Sequence, residues 1–203
     1  MFITLDGIDG TGKSTQIDRL TQWFRDSGKT VTNVRDPGST PAGEAIRGLL
    51  LDSNLDMHRR CEALLYMAAR TQMVHETITP ALDRGEVIIS DRFLLANAVY
   101  QSVADRPDVE TVQAREIWQL ADWALPSVRP DLTILLDMPA IDAANRRSSQ
   151  SNDRMEARGI EYLEKVRQAF LKQIKQCGGR HVIVNANQSP QSVFEEIVST
   201  VEE

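Results

Sequence analysis

Phe2-Ile-Thr-Leu-Asp6 runs directly into Gly7-Ile-Asp-Gly10-Thr-Gly12-Lys13-Ser14-Thr15, and Ile17, Leu20 and Phe24 then recur on one helical face. A short apolar run, a glycine-rich turn and an amphipathic stretch read as strand, loop and helix. The loop fits G-x-x-x-x-G-K-[ST] at Gly7, Gly12, Lys13 and Ser14. Glycines let successive backbone N–H groups curl around a phosphate chain with no Cβ in the way. The helix that follows adds the partial positive charge of its N-terminus. Lys13 is expected to reach the β- and γ-phosphates, and the Ser14 hydroxyl to ligate Mg²⁺. A plain strand–helix connection needs one glycine, not three with a Lys-Ser pair. The segment Gly7, Ile8, Asp9, Gly10, Thr11, Gly12, Lys13, Ser14 and Thr15 is therefore expected to bind the phosphates of a nucleoside triphosphate.

The same alternation continues along the chain. Phe2–Leu5, Val31–Val34, Val87–Ser90, Leu132–Leu136 and His181–Val184 are short β-rich runs of the kind buried on both faces of a sheet. Helical stripes lie between them: Leu64, Met67, Ala68, Thr71, Val74, Ile78 and Leu82; Ile117, Leu120, Ala121 and Ala124; and Val193, Ile197 and Val201. Strand–helix repetition predicts an α/β fold of the P-loop NTPase type: a five-stranded parallel sheet with helices on both faces. Ligands in such sheets lie beyond the carboxyl ends of the strands. The polar run 146–158 (RRSSQSNDRMEAR) interrupts the pattern and reads either as a solvated loop or as a short mobile lid.

At 203 residues the chain suits one compact domain covering 1–203. No stretch approaches the roughly 20 apolar residues of a membrane span, and no basic leader precedes the first strand. Cys61 and Cys177 are far apart, without metal-ligand spacing, and read as free thiols in a reducing cytoplasm. The net charge of −6 gives no global basic field for nucleic acid, so cations for an anionic ligand must be gathered locally. Arginines are so gathered: Arg35 follows the second strand and Arg92 the third, each a planar donor fork suited to phosphate. The base-reading N-K-x-D of GTPases is absent.

Six pieces in order, LDGIDGTGKST, RDPGST, LLYMAARTQ, SDRFLLANAVYQ, RPDLTILLD and NDRMEARG, resemble the thymidylate kinases over nearly the whole chain. The resemblance implies transfer of the γ-phosphoryl group of ATP to dTMP, with Mg²⁺, in a cytoplasmic homodimer with no nucleic-acid or membrane partner. It implies that Asp9 sits near the acceptor's 3′-hydroxyl and phosphate, and that Arg35 and Arg92 grip the 5′-phosphate beside Pro37. Asp91 takes the place of an acid that holds the water shell of Mg²⁺. Tyr66 matches an aromatic, commonly Phe, that stacks on thymine, and Arg70, one turn on, matches a residue that bonds the base edge. Arg47, Asn97 and Gln101 match positions near the base or its methyl, and Tyr100 a ring that excludes a 2′-hydroxyl. No arginine lies within the P-loop, so charge neutralisation falls to Arg146, Arg147 and above all Arg154, as in the lid-arginine branch of the family. Glu156 matches an acid near the acceptor sugar and metal.

The sequence departs from the usual Arg-Glu-Pro-Gly-Gly-Thr at Asp36 and Ser39, with Asp36 expected to shift an interaction near the acceptor sugar or metal. Ala96 stands where a serine is common, and Met67 where an aromatic is common beside the stacking ring. Two alternatives remain open on the residues alone: a P-loop kinase for another nucleoside monophosphate or a deoxynucleoside, and a non-catalytic nucleotide-binding protein.

Overall fold

The computed structural model describes residues 1–104, 110–148 and 159–203, with Arg147 and Ser148 described in their backbone only. Five strands form one parallel sheet: β1 (Phe2–Asp6), β2 (Val31–Arg35), β3 (Val87–Asp91), β4 (Leu132–Asp137) and β5 (Arg180–Asn185). Their order is β2-β3-β1-β4-β5, so β1, with the glycine loop at its end, is the central strand. The five runs read from the sequence all appear, each one residue longer at its carboxyl end. Those added residues are Asp6, Arg35, Asp91, Asp137 and Asn185, which gives the sheet a polar rim.

Burial explains the pattern of the runs. β1 is buried throughout, whereas the edge strands β2 and β5 alternate with exposed positions. On one face, Ile3, Leu5 and Ile89 pack with Ile17, Leu20 and Phe24 of α1 (Lys13–Asp26) and Ile197 of α9 (Pro190–Glu202). On the other, Phe2, Val34 and Ile88 pack with Met67 and Met73 of α3 (Arg59–Met73) and Ile117 of α6 (Ala114–Ala124). Helices α2 (Pro41–Leu51), α4 (Thr79–Asp83), α5 (Leu94–Ser102), α7 (Ala140–Ser148) and α8 (Gly159–Gln173) complete the described set.

One helical stripe was misphased in the sequence. Leu64 is 57 % exposed and Ala68 is exposed, while Ala63, Met67, Arg70 and Val74 face inward. Apolar residues occupy both of two adjacent faces, so spacing alone does not choose between them. A π-helical turn, Val74–Ile78, then joins α3 to α4 and shifts the phase again. The expected lid lies outside the described residues except for its first residues, Arg146 to Ser148, which close α7.

Candidate active site

The loop after β1 closes on itself through its glycines. Gly7 and Gly10 have φ of 140° and 94°, and a Cβ on them would stand 2.5 Å from the Leu136 carbonyl oxygen and 2.2 Å from that of Ala143. Gly12 (φ 90°) precedes α1 as its left-handed cap, and a Cβ there would meet nothing. Two of the glycines thus let the loop press against β4 and α7, and the third leaves open space at the helix N-terminus. Lys13 Nζ donates to the carbonyls of Gly7 and Ile8, both at 3.1 Å, and the Thr11 hydroxyl donates to Ile8 at 2.9 Å. Burial pulls the Lys13 ammonium down to about 8, with Arg92 adding repulsion and Asp9 opposing it. A bound polyanion would relieve both effects.

Two cavities flank this loop. The first, about 750 Å³, is lined by Gly10, Gly12, Lys13, Ser14, Thr15 and Arg35 among others, with Arg146 and Pro190 at α7 and α9. The second, about 430 Å³, runs from Pro37 and Arg47 past Tyr66, Arg70 and Ala96 to Asn97, Tyr100 and Gln101. Asp9, Asp36, Arg47 and Arg92 line both. At the junction Arg92 Nη2 donates to Asp9 Oδ1, and Lys13 Nζ lies 3.6 Å from the same oxygen. Arg92 has φ 69°, a left-handed conformation that a side chain disfavours. Its backbone N–H donates to the Leu5 carbonyl at 3.0 Å, and its guanidinium lies over the Tyr100 ring, Cζ 5.1 Å from the centroid. Burial alone would lower the Arg92 pKa; Tyr100, Asp9, Asp91 and Asp6 together hold it above its ordinary value.

In the second cavity Arg70 is 1 % exposed, and its Nε donates to Asp36. Its Nη1 donates to Asn97 Oδ1 at 3.0 Å and lies 3.8 Å from Met67 Sδ. Asn97 Nδ2 and Gln101 Oε1, a donor and an acceptor on residues that line the same cavity, are buried without a hydrogen-bond partner. Asp36 pairs with Arg70 through Oδ2, while its Oδ1 is buried without a hydrogen-bond partner and the residue lines both cavities. Arg47 donates to the Pro37 carbonyl at 3.0 Å. Arg35 stands at the rim of the first cavity, its Nη2 3.2 Å from Glu44.

The model of the family described as thymidylate kinase matches residues 5–197. Curated thymidylate kinases are similar along almost the full chain: that of Rhodopirellula baltica is 49 % identical over 98 % of this chain and 78 % of its own length. That of Thermosipho africanus is 42 % identical over 100 % of this chain and 98 % of its own. This chain belongs to the thymidylate kinase family.

Within that family frame, most residues expected at the site come together around the two cavities: Asp9, Gly10, Gly12, Lys13, Ser14 and Thr15 of the P-loop, with Arg35, Pro37, Arg47, Tyr66, Arg70, Asp91, Arg92, Asn97, Tyr100 and Gln101, whereas Gly7, Ile8 and Thr11 are buried and line neither. Arg146 reaches the first cavity and donates to the Ala186 carbonyl at 3.0 Å. Arg154 and Glu156 lie outside the described residues, and only the backbone of Arg147 is described. The donor set fits a divalent cation: Asp91 Oδ1 is buried and unpartnered, and Asp91 and Ser14 line one cavity. Both cysteines are free thiols. Among the described residues no helix is long and apolar enough to cross a membrane. Sequence reasoning missed Glu44, Pro190, Arg59, Glu62 and Asp6. Glu44 was legible as the first-turn acid of α2 behind the Thr40 cap, whose hydroxyl accepts from Gly43 N–H at 2.9 Å. The others depend on contacts between distant segments.

Proposed function

We propose that the protein transfers the γ-phosphoryl group of ATP to dTMP, giving dTDP for dTTP synthesis. The observation that carries this reading is the meeting of a P-loop cavity and a base-sized cavity at Asp9 and Arg92. Two polyanions laid end to end across that junction would bring the acceptor phosphate against the donor's terminal phosphate.

The chain's own residues act by alignment and charge. The P-loop N–H groups and Lys13 hold the donor phosphates, and Arg35 and Arg92 hold the acceptor phosphate. Arg70, with its Nε taken by Asp36 and its Nη1 by Asn97, has Nη2 left to present to a carbonyl on the base edge. Gln101 Oε1 and Asn97 Nδ2 offer an acceptor and a donor in the same cavity, a pattern that suits the N3–H and carbonyls of thymine better than cytosine. Tyr66 supplies the stacking face and Tyr100 closes the sugar side against a 2′-hydroxyl. The acceptor is already a dianion, so no strong general base is required. Ser14 and Asp91 would hold Mg²⁺, which when bound supplies further neutralisation of the phosphate charge. The family resemblance assigns the same task to Arg146, Arg147 and Arg154, and places Glu156 near the acceptor sugar.

The match of one family model to residues 5–197 supports a single domain. A homodimer in the cytoplasm completes the reading. Leu49 on α2, Leu64 on α3 and Trp123 on α6 are exposed on helices that pack in sequence, α2 on α3 and α3 on α6, and such apolar groups suit a second copy.

Measuring ADP release against a panel of nucleoside monophosphates and deoxynucleosides tests the reading. Turnover with dTMP well above the other acceptors is expected. Preference for another acceptor would move the protein to a different kinase specificity, and ATP binding with no turnover would make it a nucleotide-binding protein.

A further inference from the structure

The guanidinium of Arg167, on α8, makes three hydrogen bonds away from both cavities. Nε and Nη2 donate to Asp137 Oδ1 and Oδ2 at 2.7 and 2.8 Å, a bidentate fork on the residue that ends β4. Nη1 donates to Glu164 Oε1 at 2.9 Å. The other oxygen of Glu164 accepts from the N–H of Ala140, the first residue of α7, at 3.2 Å. One cation therefore joins the end of β4 to the start of α7 across a link of two residues, Met138 and Pro139. Arg167, Asp137, Glu164 and Ala140 line neither cavity. Their three charged side chains are partly exposed. Pairs so open to solvent add little stability, and what a fork adds is geometry.

Helix α7 carries that geometry into the site. Its Arg146 lines the first cavity and donates to the Ala186 carbonyl. The Ala186 N–H in turn donates to the Asp137 carbonyl at 2.7 Å. The residue that Arg167 grips by its side chain thus holds, by its backbone, the residue on which Arg146 rests. The Ala143 carbonyl, one turn before Arg146 on the same helix, is the surface against which Gly10 of the P-loop closes. The direction in which α7 leaves the sheet therefore sets Arg146 and one wall of the P-loop together.

We propose that Arg167 is a positioning residue for phosphoryl transfer: by bridging Asp137 and Glu164 it fixes where α7 starts, and so where the Arg146 guanidinium stands against the donor phosphates. This rests on the kinase reading and deepens it. Arg167 touches neither substrate and acts through Arg146.

The test is a double-mutant cycle of Arg167→Met with Arg146→Ala, read in kcat and in KM for ATP and dTMP, well below the thermal midpoint of every variant. Arg167→Met keeps most of the stem and removes the fork. It is expected to lower kcat by about 10²-fold, as a small misplacement at a reacting centre does. KM for dTMP should stay near its wild-type value, because Arg146 lines the first cavity and not the second. In the Arg146→Ala background the same change should lower kcat no further. An unchanged kcat, equal losses in both backgrounds, or a KM for dTMP that rises as kcat falls would make Arg167 a structural staple and overturn the proposal. Wild-type kcat in Arg146→Ala alone would overturn it too, since nothing would then need positioning. If Arg167→Met does not fold, Glu164→Ala takes its place in the cycle, and the same outcomes decide. Failure of the kinase reading itself is distinct: the wild-type chain would then turn over no dTMP before any variant is made.

Discussion

The carboxylate of Asp36 grips Nε of Arg70, joining the segment after β2 to α3 with both side chains 1 % exposed. The pair lines the second cavity, so a residue expected to read a base is also a buried structural cation. Stability and recognition are coupled there, and they can be separated by experiment.

Asp36→Ala leaves the Arg70 charge buried and alone, which typically costs about 3–5 kcal/mol. For a chain of this size that is a fall of roughly 6–20 °C in thermal midpoint. KM for dTMP should rise with it. The double change Asp36→Leu with Arg70→Met replaces the pair by apolar groups and should restore most of the midpoint while KM stays high. Recovery of both would mean that Arg70 serves the fold alone.

Gly10→Ala and Gly12→Ala should differ, although both glycines have positive φ. Gly12→Ala adds only left-handed strain, about 1–2 kcal/mol. Gly10→Ala adds the same strain and drives a Cβ into the backbone carbonyl of Ala143, which cannot swing aside. Overpacking of that kind adds about 1–3 kcal/mol. Thermal melts should therefore rank Gly10→Ala clearly below Gly12→Ala, and equal midpoints would contradict the close approach of the loop to α7.

Arg154→Ala should lower kcat by about 10³-fold or more, the scale of a lost arginine at a transferring phosphoryl group, with KM for dTMP little changed. Steady-state kinetics decide it: matched losses in kcat and in acceptor affinity would move Arg154 from charge neutralisation to binding.

Leu64→Glu puts a charge on an exposed apolar position of α3 and should convert a homodimer to monomer in sedimentation or light scattering. A dimer that survives the change would assign the interface to another surface. Because Leu64 is 57 % exposed, the stability of a monomer should hardly move.

The five strands and the P-loop were legible because their signals are local: continuous apolar runs, and glycines whose reason for being there is visible one residue away. Arg92 was legible from its place just past the third strand, whereas Tyr66 and Asn97 were legible only through family resemblance, since a lone tyrosine or asparagine carries no local mark. The pairing of Asp36 with Arg70 was not legible, because Arg70 lies on α3 and nothing near Asp36 in the chain points there. The α3 stripe failed for a different reason. Leu64 and Ala63 are neighbours on adjacent faces, both apolar, and only packing against Phe2 and Ile88 decides which turns inward. Asp6 was passed over as the polar end of a strand, and its burial without partners becomes visible only when β1 is flanked by β3 and β4.

The pairing of Leu5 with Asp91, and of Asp91 with Arg35, fixes which charge stands at each point of the sheet's upper edge. Consecutive residues there carry opposite signs, as Asp91 and Arg92 do, and both line the first cavity. Deleting a single residue from β3 would thus exchange an anion for a cation at the catalytic edge while moving Ile88 and Ile89 to the wrong layers. Such a deletion cannot be tuned: the chain would lose its shape and its chemistry in the same stroke.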